Sequence, residues 1–440
     1  MPGQLMFKQS SCSLLDVRIL VEGGSRLTCL DYRVRQVSGV GFMKNRNLLW
    51  VIFLVAVIGV VYLFYQQPGW LTAGEDDEIL EELEENDRLE QDREVPGKLE
   101  PEIIDENGQE ITIPEGPERE VVLDNLSIPW ELVFLPDGEK LVTERAGNLL
   151  YVSEDGQVES MQIERVEHAG EGGLLGMALH PDFTENNYLY LYLTARVEGG
   201  LINRVERYHF IDGELSKDTV IIDDIPGGTT HDGGRMAFGP DSLLYIATGD
   251  AGVPDLSQDR DSLAGKILRL EDDGSIPDDN PFGSEVYSYG HRNPQGLAWD
   301  SESNLWATEH GPIAQDELNH IESGKNYGWP AIEGDQSAPG MEDPAMHSGT
   351  DETWAPSGAV YYDGSIFFAG LRGATLYEAV LSGTEVVEVK SHLQDEYGRL
   401  RNVVLGPEGY FYLLTSNRDG RGSPAPDDDK IIRINPGLFR

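Results

Sequence analysis

Gly239-Pro-Asp-Ser-Leu-Leu-Tyr-Ile-Ala-Thr-Gly-Asp250 reads as a tight turn, then a short apolar strand, then a polar end. Pro presets the backbone of a turn, Asp bonds back to nearby amides, and a Leu-Tyr-Ile run favours a strand. The unit recurs. Leu135-Pro-Asp-Gly138 precedes Lys140-Leu-Val-Thr-Glu144, and His180-Pro-Asp-Phe183 precedes Tyr188-Leu-Tyr-Leu-Tyr-Leu193. Trp299-Asp-Ser301 precedes Leu305-Trp-Ala-Thr-Glu309, and Gly406-Pro-Glu-Gly409 precedes Tyr410-Phe-Tyr-Leu-Leu-Thr415. A weaker copy joins Tyr362-Asp-Gly364 to Ile366-Phe-Phe-Ala-Gly370. Copies lie about 45 to 60 residues apart, room for roughly four strands each, which is the signature of propeller blades. Six copies predict an all-β, six-bladed β-propeller over residues 119–440. Loops at one end of a propeller converge on its channel, so residues distant in sequence can share one pocket there.

Outside the repeats the chain changes character. Leu48–Tyr65 is an uncharged apolar run of 18 residues, close to the ~20 needed to cross a bilayer as a helix. Lys44 and Arg46 precede it and Glu75-Asp-Asp-Glu78 follows. The positive-inside bias therefore predicts a single-pass anchor over 47–66, with residues 1–42 cytoplasmic and the large domain outside the cell membrane, extracellular or periplasmic. The alternative is a cleaved signal peptide, for which the run is long. Met43 would serve as a start of its own, making 1–42 an upstream extension. Residues 75–118 begin as a charge run and read as an acidic stalk.

The 78 acidic and 33 basic residues give a net charge of -45. That excludes nucleic acid as a partner, because nothing would displace its counterions. The two cysteines, Cys12 and Cys29, both precede the apolar run, so the large domain has neither disulfides nor thiolate metal ligands.

Against this acidity, four arginines stand out near the repeating strand ends: Arg292, Arg372, Arg399 and Arg401. On one channel they would form an anion site. The competing reading is surface arginines paired with the abundant carboxylates. Arg399 and Arg401 would share a face of an extended segment. His231, in Thr229-Thr-His-Asp-Gly-Gly-Arg235, precedes the strand that ends at Asp250. It is either a general base oriented by that carboxylate or an exposed turn histidine. His310-Gly-Pro312 with Asp316 and Glu317 is rich in oxygen, suited to Ca²⁺ or simply to water. The Gly-rich His168–Gly176 lacks the strand-to-helix context of a dinucleotide fingerprint. Asn125-Leu-Ser127 fits a glycosylation sequon.

Four stretches carry a resemblance: Gly170-Glu-Gly-Gly-Leu-Leu-Gly-Met-Ala-Leu-His-Pro-Asp-Phe183, His231-Asp-Gly-Gly-Arg235, Gly290-His-Arg-Asn-Pro-Gln-Gly-Leu-Ala-Trp299 and Gly324-Lys-Asn-Tyr-Gly-Trp-Pro330. In this order they resemble the soluble quinoprotein glucose dehydrogenases, and more closely the aldose sugar dehydrogenases of that family, from about Ile128 to Asn435. The resemblance implies pyrroloquinoline quinone and Ca²⁺ on the channel face, and oxidation of aldose C1 hydroxyls to lactones. By position it makes His231 the base and Asp250 its partner. It places Glu171, Arg292, Asn293, Arg399 and Arg401 against the cofactor. The carbonyls of Gly311 and Pro312 would hold the cofactor's Ca²⁺, and Glu317 and Tyr327 fall at a second, structural Ca²⁺. One departure is Leu371, in a loop where the glucose dehydrogenases carry Lys; Arg372 beside it is the candidate substitute. The electron acceptor is left unidentified. The alternatives are a metal-dependent propeller lactonase and a non-catalytic propeller that binds sugar or protein.

Overall fold

The computed structural model describes residues 5–8, 14–23, 26–35, 114 and 116–440. The apolar run 47–66 and most of the acidic stalk lie outside these residues. Among the described residues no helix is long and apolar enough to cross a membrane. The chain divides into two units, 1–99 and 100–440.

In the first unit Leu5–Lys8, Leu14–Gly23 and Arg26–Arg35 form a three-stranded antiparallel sheet. This differs from the sequence reading, which found no periodicity in 1–42. The two-residue alternation is confined to short stretches such as Asp16-Val-Arg-Ile19.

The second unit is six four-stranded antiparallel sheets. Their first strands begin at Pro129, Leu174, Met236, Pro294, Pro356 and Leu400. The last sheet takes its outer strand from the start of the unit: Arg119–Leu123 pairs with Ile431–Ile434. This closure joins the two ends of the propeller domain and removes the exposed edges an open array would carry. Each repeat found in the sequence falls on the turn between the first two strands of a sheet and on the second strand itself.

The turn repeats because its hydrogen bonds repeat. Gly138 N donates to Leu135 O, Ser242 N to Gly239 O, Ser303 N to Asp300 O and Gly409 N to Gly406 O. The last turn residue is left-handed each time, with φ of 90° at Gly138 and 64° at Ser242. That is a type I turn closed by a left-handed residue, which suits the twist of a hairpin.

The second strands are apolar on both faces because both faces are covered. Leu244 and Ile246 pack with Tyr190, Tyr192 and Val205 of the preceding sheet. Tyr245 and Ala247 pack with Leu297, Leu305 and Ala307 of the following one. Each such side chain contributes about 1.5–3 kcal/mol by leaving water. A buried Thr lies within the last four residues of five of the six second strands: Thr143, Thr194, Thr248, Thr308 and Thr415. Two of them reach into the next sheet, Thr143 Oγ1 donating to Leu175 O (2.7 Å) and Thr308 Oγ1 to Ser357 O (2.7 Å). The residues just beyond these threonines therefore sit at the channel.

Candidate active site

A cavity of ≈250 Å³, open to solvent, lies at that end of the channel. His231, Glu171, Arg292, Arg372, Arg399, Arg401, Gly311 and Pro312 all line it. Eight of the twelve residues singled out in the sequence thus meet on one wall. The other four stand behind it or beside it.

His231 is held in a left-handed conformation, φ 59°, which a non-glycine residue adopts only when its surroundings impose it. Its amide donates to Glu171 Oε2 (2.9 Å) and its carbonyl accepts from Ala251 N (3.1 Å). Its ring Nδ1 lies 2.7 Å from Asp250 Oδ1. Asp250 is fully buried and also accepts from Gly252 N (2.7 Å) and Trp329 Nε1 (2.9 Å). A carboxylate that accepts from two other N–H groups takes the Nδ1 proton as a third, so His231 Nε2 is left as the acceptor. The side chain is 19% exposed, at the cavity wall.

Asn293 is buried, with Oδ1 accepting from Gly233 N (3.1 Å) and Nδ2 unpartnered. Arg401 is 4% exposed. Its Nη1 donates to Gln295 Oε1 (2.7 Å), and its Nε is buried without a partner. Burial, and then the neighbouring Arg145, push its pKa down to about 9. Burial lowers Arg292 and Arg145 likewise. Arg292 Nη1 donates to His310 O (3.1 Å) and its Nε is an orphan. Among the described residues Arg145, Arg292 and Arg401 form no ion pair with a carboxylate, whereas Arg399 pairs with Asp419 (2.7 Å). Recessed guanidinium groups that face a cavity without a carboxylate in direct ion pairing make a site for a polyanion. Arg372 differs: it is exposed at the rim. Leu371 beside it is buried, its carbonyl accepting from Arg399 Nη1 (3.1 Å).

Burial alone would raise Glu171. The His231 amide and nearby positive groups outweigh it and hold the carboxyl below its ordinary range. Its Oε1 pairs with Arg421 (2.9 Å) across the cavity mouth.

Asp316 shapes the His310–Pro312 loop. Its Oδ1 accepts from Gly311 N (2.9 Å), and its Oδ2 accepts from Thr353 Oγ1, Trp354 N and Ala355 N. The carbonyls of Gly311 and Pro312 accept no hydrogen bond from the described residues. Glu317 and Tyr327 line a second, smaller cavity with Glu309 and Gln315, whose Oε1 is buried and unpartnered. Burial, then repulsion from Glu309, raises Glu317 to about 8. The Tyr327 hydroxyl is committed to His320 O (2.6 Å) and Glu322 N (2.8 Å), so only its backbone oxygen is left for a metal. Among the described residues no group of three His, Cys, Asp or Glu converges, so a cation here has to draw on carbonyls and amides as well.

The profile of the glucose/sorbosone dehydrogenase family matches residues 126–432. The chain belongs to that family. Aldose sugar dehydrogenase YliI of Escherichia coli K12 is 35% identical over 352 residues, spanning 72% of this chain and 92% of that protein. Quinoprotein glucose dehydrogenase B of Acinetobacter calcoaceticus is 36% identical over 253 residues, 49% of this chain and 53% of its own. The PQQ-bound aldose sugar dehydrogenase of Streptomyces coelicolor has a similar structure, with a TM-score of 0.68 at 43% identity over 73% of this chain and 99% of that one. Membership makes the chain an oxidoreductase acting on sugars.

Within it, several site residues escaped the sequence reading. Arg145, Trp130 and Arg421 line the cavity, and Trp329 supports Asp250. Arg145 carried a usable signal: Thr143-Glu-Arg145 and Thr308-Glu-His310 end equivalent strands, so both third residues reach the channel. Trp130 lies under Arg235 at 4.1 Å and carried no such mark.

Proposed function

We propose that the protein is an outward-facing, membrane-anchored quinoprotein that oxidises the C1 hydroxyl of an aldose to the lactone. The observation that carries this is the pairing, in one cavity, of a His231–Asp250 dyad with three recessed arginines that lack a carboxylate. The name of the Streptomyces relative supports pyrroloquinoline quinone as the cofactor.

The residues present fit a tricarboxylate quinone. Arg292, Arg401, Arg399 and Arg145 would hold its carboxylates, and the orphaned Nε of Arg292 and of Arg401 and the Nδ2 of Asn293 would gain acceptors. Glu171 would form one edge of the bed. When bound, the quinone supplies the acceptor for the C1 hydride. His231 Nε2 takes the hydroxyl proton, and Asp250 keeps the ring oriented and stabilises it once charged. The free carbonyls of Gly311 and Pro312 suit a Ca²⁺ beside the cofactor, and Glu317, Gln315 and the Tyr327 carbonyl suit a structural one. The 47–66 run would keep the domain at the membrane, from which electrons pass to an acceptor yet to be identified.

Titrating the full chain with pyrroloquinoline quinone, with and without Ca²⁺, and then offering aldoses and a redox dye tests the reading. Saturable, Ca²⁺-dependent dye reduction is expected. Folded protein that fails to bind the quinone at micromolar concentration would sink it, and would shift weight to the lactonase or binding-protein alternatives.

A further inference from the structure

The arginines of the cavity fall into three sets. Arg399 and Arg421 are neutralised locally by Asp419 and Glu171. Arg145, Arg292 and Arg401 are recessed and, together with Arg399, suit a tricarboxylate. Arg372 belongs to neither set. It is exposed, and its guanidinium has no hydrogen-bond or ion-pair partner among the described residues. In a chain with 78 acidic residues, a cation left unpaired at a cavity mouth is not explained by a shortage of partners. Asp316, an acidic residue that lines the same cavity, is buried and spends both oxygens on amides and Thr353.

Ile313 lines the same cavity and is 79% exposed, the most exposed large apolar side chain among the described residues. The mouth thus offers an apolar surface and an open guanidinium fork on a cavity that also contains His231 Nε2. A pyranose has an apolar C–H face. A carboxylate or phosphate on C6 is carried by C5, on the other side of the ring oxygen from C1.

We propose that the preferred substrate is an aldose carrying an anionic group, its anion held by Arg372 and its C–H face resting on Ile313. This rests on the quinone reading above, in that the recessed arginines must be occupied by the cofactor for Arg372 to be the one left over. A positive mouth set in an acidic surface would also focus anionic sugars towards the site against the overall repulsion.

The test uses the full chain loaded with pyrroloquinoline quinone and Ca²⁺, and compares D-glucose, D-glucuronate and D-glucose 6-phosphate at constant ionic strength. At least one anionic sugar should exceed glucose in kcat/KM by about tenfold, the worth of one charge-assisted contact. Which of the two wins assigns the anion as carboxylate or phosphate. Arg372→Gln should bring the anionic-to-neutral ratio close to one, and Arg372→Lys should leave it in between, because Lys keeps the charge but loses the fork. Added salt should weaken the anionic sugar selectively. Calorimetric titration of the three sugars, without dye, should give the same ranking.

Glucose equal to or better than both anionic sugars overturns the proposal. So does Arg372→Gln lowering all three rates alike while weakening quinone binding, which would make Arg372 a cofactor residue. Failure of the wild-type chain to bind quinone is a separate result: it removes the functional reading and this proposal with it.

Discussion

Two histidine–carboxylate pairs lie close together in this propeller, and only one of them opens on the cavity. His231 Nδ1 is 2.7 Å from Asp250, and His291 Nδ1 is 2.8 Å from Glu309. The near groups are alike and the far nitrogens are not. His231 Nε2 faces the cavity, whereas His291 Nε2 meets Ser288 Oγ at 2.8 Å in a ring that is 0% exposed and stacked on Tyr327. A carboxylate partner orients an imidazole in both cases. Access for the second nitrogen decides whether the ring is a base or a brace. The brace still serves the site. Glu309 Oε1 accepts from Arg292 N, and Arg292 O accepts from Asp250 N (2.8 Å), so the buried pair holds the backbone that the His231–Asp250 pair leans on.

The widest separation of the two pairs should come from removing each ring. His231→Ala should lower kcat of the loaded enzyme by about 10²–10⁴, the usual worth of a positioned base, with quinone affinity little changed. Asp250→Asn should fall in a similar range, because the ring loses its tautomer, and the double variant should be hardly worse than either single one. A double variant whose losses multiply would mean the two residues do not act as a unit.

Next in size is the cofactor bed. Arg401→Ala should weaken quinone binding by about 10–100-fold, the loss of charge-assisted hydrogen bonds. Fluorescence titration of the metal-loaded chain reads it directly. Smaller again in activity is His291→Asn. It leaves Ser288 and Glu309 with a poorly matched partner, and should cost about 1–3 kcal/mol of stability while kcat of the folded fraction stays within about tenfold. If His291→Asn abolished turnover without a change in Tm, the brace would be a second catalytic group.

Which of these roles could be read from residues alone follows from how each is encoded. The blades were visible because their turns need specific chemistry: Pro240 and Asp241, or Pro136 and Gly138, recur where the same hydrogen bonds recur. His231 was visible as a candidate through its spacing to Asp250, but its open nitrogen is a fact of packing. His291 stands in a more conspicuous stretch, Gly290-His-Arg-Asn-Pro294, and only burial shows that it is a brace. Trp130 faces the cavity from a first strand whose alternation is that of any buried strand, so it carries no signal, whereas Gln295 belongs to the conspicuous polar stretch 290–299 and only its place at the cavity was hidden. The three strands within 1–42 passed unseen because the alternation lasts only a few residues at a time.

A third carboxyl sharpens the contrast, because it has no imidazole. Asp232 is 1% exposed; its Oδ1 accepts from Gly228 N (2.9 Å) and Asn203 Nδ2 (3.1 Å), and its Oδ2 is buried without a partner. Burial raises it to about 7, well above a free carboxyl near ~4. Between those values the folded chain holds a proton that the unfolded chain has lost. Stability from this group is therefore complete below pH ~4 and declines as pH rises towards and through about 7, by at most about 4 kcal/mol. Asp232→Asn keeps the Oδ1 acceptor and cannot ionise, so its Tm should lose this slope and exceed that of the wild type above neutral pH. Asp250→Asn, by contrast, should bring no such gain, since that carboxylate already has its donors. A slope that survives intact in Asp232→Asn would place the titrating group elsewhere and leave Asp232 as one more satisfied acid beside His231.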